Sequence, residues 1–152
     1  MRSLIAVFFA CGLGFSFVSS ARAASFTYSG TLSNGGNPVQ TYTVKPSLKA
    51  PTNITVLTVS GAGSLNQSTE VFKLASGKVK DSIDNGPASK GTYTLKRSGS
   101  KTIVTMKIKG YNRINTYTFT ISPQTLFADY VSRTTLGPPE TAKSTCTAEA
   151  VK

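Results

Sequence analysis

Residues 91–122 read GTYTLKRSGSKTIVTMKIKGYNRINTYTFTIS, and the register of this stretch sets the architecture. Its apolar residues recur at every second position, the period of a strand with one buried face. If Gly99-Ser100 is a two-residue hairpin loop, with Gly supplying the positive φ such a turn needs, Leu95 faces Val104 and Tyr93 faces Met106. If Gly110 to Arg113 form the next loop, Met106 faces Tyr117 and Val104 faces Phe119. Two independent loop choices thus place all the large apolar side chains on one face. The same register sets Thr94, Thr105 and Thr118 side by side on the other face, where β-branched residues suit a pleated surface.

Upstream, a Ser76-Gly77 loop sets Leu74 against Val79, so the chain from Glu70 to Ser122 reads as an antiparallel meander. Further period-two segments occur at Phe26 to Leu32, Val39 to Val44, Ile54 to Ser60, Thr125 to Ser132 and Ser144 to Val151. Clusters of Gly, Pro, Asn and Ser separate them. No segment after residue 23 carries a helical period. The expected class is all-β, an up-and-down meander closing into a small barrel of eight to ten strands, with a two-sheet β-sandwich as the alternative. In outline such a barrel resembles the lipocalin type, although the chain has no tryptophan and so lacks a Gly-x-Trp signature.

The first residues, MRSLIAVFFACGLGFSFVSSARAA, combine an early cation at Arg2, an apolar run and an Ala21-Arg22-Ala23 cleavage pattern. This predicts a secretory signal peptide over 1–23 and a single domain over 24–152. Cys11 falls inside the leader, leaving Cys146 unable to form an internal disulfide. Its alternation with Ala148 and Ala150 predicts a small buried side chain.

Charge is distributed unevenly. The chain carries 17 Lys and Arg against 6 Asp and Glu, and loss of Arg2 and Arg22 with the leader lowers the formal net charge from +11 to +9. No acid falls between Asn85 and Ala128, while many cations do. Such a balance suits an anionic partner; lysines that keep a β-rich surface soluble and guard its edges are the alternative.

Catalytic chemistry has few candidates here. The chain has no histidine, which removes the commonest general base, the usual nucleophile triads and the usual zinc ligand sets. Among the acids, Asp81 and Asp129 fall in alternating strands where both would face inward as a carboxylate pair; a structural carboxylate paired with Lys or Tyr is the simpler reading. Ser98-Gly99-Ser100-Lys101 matches S-x-x-K in letters only, since that motif opens a helix. Asp81-Ser82-Ile83-Asp84-Asn85-Gly86 lacks the spacing and closing Glu of a calcium loop. Gly61-Ala62-Gly63 precedes no helix and forms no phosphate cradle.

Two binding features remain. One is an outward basic face of Lys96, Lys101, Lys107 and Lys109, with Tyr111 and Arg113 at the adjoining loop. The other is an apolar cavity among Phe72, Tyr93, Met106, Tyr117 and Phe119, left where large side chains oppose the small residues of the last strand. The functional expectation is an exported, periplasmic or extracellular, non-enzymatic binding protein of the cell envelope, without cofactor or metal. Its ligand would be anionic or amphiphilic, such as a lipid or surface polysaccharide, with peripheral membrane contact. The alternative is a protein-interaction module, for example an inhibitor of a secreted hydrolase presenting a loop at Leu136 to Lys143. Export argues against nucleic acid as partner.

Overall fold

The computed structural model describes residues 24–33, 38–60, 66–138 and 140–151; the leader expected over 1–23 and the Gly61-Ala62-Gly63 segment lie outside them. Ten strands follow one another: β1 (Phe26–Leu32), β2 (Val39–Lys45), β3 (Asn53–Val59), β4 (Gln67–Ala75), β5 (Lys78–Ile83), β6 (Ser89–Ser98), β7 (Lys101–Lys109), β8 (Arg113–Ile121), β9 (Thr125–Thr134) and β10 (Thr141–Ala150). Each pairs antiparallel with its sequence neighbours. β1 also pairs with β10, placing Tyr28 opposite Ala150 and Leu32 opposite Cys146 and closing the sheet into a barrel. The sandwich alternative is thereby excluded, and among the described residues no sheet edge is left open.

The pairings that follow from the turns occur as expected. Leu95 opposes Val104, Tyr93 opposes Met106, Met106 opposes Tyr117, and Val104 opposes Phe119. Gly99 adopts a φ of 59°, a region that costs glycine little and other residues more. Leu74 opposes Val79 across a Ser76-Gly77 turn in which both residues have positive φ, the conformation that matches the twist of a two-residue hairpin.

Because side chains alternate, one set fills the interior. Tyr28, Val44, Ile54, Phe72, Leu74, Val79, Val104, Met106, Ile108, Ile121, Leu126 and Ala148 are buried there. Cys146 is buried and unpaired. Burial of each large apolar side chain stabilises by roughly 1.5–3 kcal/mol. Two inward positions hold glycine because the neighbouring strand leaves no room. A Cβ at Gly91 would lie 2.1 Å from the Lys107 carbonyl oxygen, and one at Gly30 would lie 2.2 Å from that of Thr147.

Up-and-down topology sorts the loops. The strand ends at which β1 leads to β2, β3 to β4, β5 to β6, β7 to β8 and β9 to β10 lie at one end, the mouth; the opposite strand ends, including the start of β1 and the end of β10, lie at the base. At the base the Tyr28 hydroxyl donates to the Ser122 carbonyl at 2.7 Å, tying β1 to the β8–β9 turn.

Candidate functional site: an acidic interior and a basic outer wall

Alternation separates the charges of β4 to β7 by sign. Lys73, Lys78, Lys80, Lys90, Lys96, Lys101, Lys107 and Lys109 all take outward positions and are exposed. The acids of these strands, Glu70 and Asp81, stand on the inward face, in line with Phe72 and Val79. Arg97 is the exception among the cations: it lies at the base rim, where its Nη2 donates to the Lys49 carbonyl at 3.2 Å.

Within the wall, Lys73 stands directly opposite Lys80, and Lys80 directly opposite Lys90. Asn53 continues the row to Lys45. Directly opposed like charges on adjacent strands destabilise a sheet, and the outward neighbours Val71, Ala75, Ser82 and Thr92 supply no counter-charge. Folding stability therefore does not account for this arrangement, whereas an anionic partner would neutralise it.

The mouth has a second character. Among the described residues the exposed large apolar side chains are Val39, Ile83, Tyr111, Ile114, Leu136, Phe127 and Val151. The first five belong to the mouth, with Tyr111 97% and Leu136 63% exposed. Cations stand among them: Lys109 opposes Ile114, and Ile114 opposes Arg133, with Arg113 opening β8 and Lys90 near the start of β6.

Inside the mouth half lies a cavity of about 150 Å³, whose lining includes Tyr42, Val56, Glu70, Tyr117, Phe119, Ala128, Tyr130 and Cys146. The space exists because Ala128 and Cys146 are small where the opposite wall carries aromatic rings. The Tyr117 hydroxyl donates to Glu70 Oε1 at 2.8 Å. Tyr117 packs against Tyr130 with ring centroids 4.9 Å apart and planes tilted by 44°, and Tyr42 meets Phe119 edge-on at 6.0 Å. Burial pushes the Glu70 carboxyl up to about 7, with the nearby Asp81 also raising it against the opposing pull of the Tyr117 hydrogen bond. Asp81 is likewise raised, first by burial; it is 6% exposed, and among the described residues its Oδ1 has no hydrogen-bond partner. Burial also raises the Cys146 thiol.

The expected site residues distribute as follows. Lys96, Lys101, Lys107 and Lys109 share the outer wall, but Lys101 lies at the base turn and Lys109 at the mouth, so they form two ends of a surface rather than one cluster. Tyr111 and Arg113 join the mouth. Of the expected cavity residues, Tyr117 and Phe119 line the space. Phe72 and Met106 are fully buried in the packed core, and Tyr93 is half-buried beside it; these three sit among neighbours large enough to fill the volume. Asp129 does not pair with Asp81: it stands on the outward row between Thr118 and Thr145, because Leu126, Ala128 and Tyr130 take the inward positions. The carboxyl beside Asp81 is Glu70, which sequence reasoning passed over although its alternation with Phe72 and Leu74 turns it inward. Lys73 and Lys80 were passed over too, although the Ser76-Gly77 turn sets them opposite. The segment Leu136 to Lys143 is divided, with 141–143 paired into β10.

No protein-family model matches this chain, and neither a curated protein nor a solved structure is significantly similar to it.

Proposed function

We propose that this is an exported, non-enzymatic binding protein that docks on an anionic lipid surface of the cell envelope through its mouth and the adjoining basic wall. The observation that carries this reading is the coincidence, at one end of the barrel, of exposed apolar tips and exposed cations: Tyr111, Leu136 and Ile114 stand beside Lys109, Arg113 and Arg133. Apolar side chains enter the headgroup and acyl boundary while neighbouring cations meet anionic headgroups, the combination that holds interfacial proteins on bilayers. The row from Lys90 back to Lys73 extends the attractive field down the wall, within the reach set by a Debye length of roughly 8 Å at physiological salt.

Sedimentation with phosphatidylglycerol and phosphatidylcholine vesicles tests this. The protein is expected to pellet with the anionic vesicles alone and to be released by salt. Replacing Lys107 and Lys109 by Glu leaves the inward Met106 and Ile108 in place and is expected to abolish pelleting. Tyr111→Ser with Leu136→Ser is expected to weaken vesicle binding while sparing adsorption to a soluble anionic polysaccharide. If the rim variant pellets like the parent protein, the apolar tips do not engage lipid and a polysaccharide partner replaces the lipid one.

A further inference from the structure

We propose that the cavity in the mouth half of the barrel binds a small organic ammonium group, held among Tyr42, Tyr117 and Phe119 with Glu70 as its counter-ion. This inference is independent of the lipid-docking reading, since it concerns the interior rather than the wall.

Three observations carry it. First, among the described residues no lysine or arginine lines the cavity, so the carboxyl there has no counter-ion from the protein. Glu70 Oε1 instead accepts from the Tyr117 hydroxyl at 2.8 Å, which holds the carboxyl against the aromatic wall of the cavity. Second, the lining is aromatic. A cation within about 6 Å of a ring centroid is attracted to its negative face, and aromatic walls with a carboxylate form the chemistry that recognises substituted ammonium ions. Third, the space of about 150 Å³ matches a cavity that holds a benzene-sized molecule. It therefore admits the head of an amine but not a lipid chain. Glu70, Tyr117 and Tyr130 are only partly buried, so the space communicates with solvent at the mouth. The orphaned Asp81 Oδ1 keeps further acceptor capacity beside Glu70.

Charge selectivity and pH dependence follow together. Glu70 is faced by Asp81 from β5, Tyr117 from β8, Tyr42 from β2 and Tyr130 from β9, none of which carries positive charge. Glu70, whose carboxyl burial pushes up to about 7, is charged at pH 8 and loses its charge at pH 5.5, so an ammonium ligand is expected to bind well at pH 8 and poorly at pH 5.5, whereas a neutral ligand of the same shape binds alike at both.

The test uses choline and its uncharged isostere 3,3-dimethyl-1-butanol, titrated into the protein and followed by the backbone amide resonances of Val56, Glu70, Tyr117 and Ala128. Choline is expected to bind about tenfold more tightly than the isostere at pH 8, to lose that advantage at pH 5.5, and to lose it at pH 8 in Glu70→Gln. Equal affinities for both probes would overturn the proposal in favour of a merely apolar cavity. Absence of shifts with either probe would overturn it as well. Should Glu70→Gln fail to fold, the comparison of the two probes at two pH values in the unaltered protein decides alone.

Discussion

Glu70 occupies a position where burial, a second carboxyl and a tyrosine hydroxyl meet, and the sign of its effect on stability can be worked out. Its carboxyl is pushed up from an ordinary 4.5 to about 7 in the folded protein. Between these values the folded state holds a proton that the unfolded chain has released, so protons favour folding. The stabilising contribution is complete below about pH 4.5 and is lost as pH rises through 7. Asp81, raised in the same direction, adds to it. Urea midpoints are therefore expected to fall between pH 5 and pH 8, and Glu70→Gln, which titrates nowhere in that range, is expected to flatten the slope. A slope as steep in the variant would show that other groups carry the dependence. The inward position of Glu70 was legible from its alternation with Phe72 and Leu74, and its nearness to Asp81 from the same hairpin that opposes Phe72 to Asp81. Its bond to Tyr117 was not legible, because turn geometry orders neighbours along a sheet and says nothing of which side chains meet across the interior, here 47 residues apart.

Among the strands, two-residue turns made the register of β4–β5 and β6–β7 readable, and with it the opposition of Lys73 and Lys80. The continuation to Lys90 was not, since the connection between β5 and β6 runs over several residues and permits more than one register. That seam is also short: pairing covers only Lys78 to Asp81 against Ser89 to Thr92. Gly91 sits in it and at the β6–β7 seam at once, with the Lys107 carbonyl where a Cβ would go. Gly91→Ala must push the two strands apart and is expected to cost about 1–3 kcal/mol, the range for overpacked sites, measured as a drop in the denaturant midpoint with an unchanged m-value. A neutral result would mean that β6 shifts freely and that the close approach does not hold the lysine row in register.

For the barrel as a whole, the class was legible because ten period-two segments with short connections leave few other ways to bury one face each. Which strands close it was less so: β1 and β10 lie at opposite ends of the chain, and the Cys146, Ala148 and Ala150 alternation that faces β1 is small and weakly apolar. Closure gives the molecule its polarity, with an acidic pocket inside, lysines outside and apolar tips at one end. If the barrel docks as proposed, the place of the charges, rather than their sum, determines binding. Two variants of equal net charge separate these causes in binding to phosphatidylglycerol vesicles: Lys90→Glu, on the basic wall near the mouth, and Thr27→Glu with Thr147→Glu, on the opposite wall formed by β1 and β10. Each lowers the charge by two. The far-wall substitutions are expected to leave affinity and its salt dependence close to those of the parent, while Lys90→Glu weakens binding and flattens the salt dependence. Equal losses in the two variants would refute a role for charge position and leave net charge alone as the cause of binding.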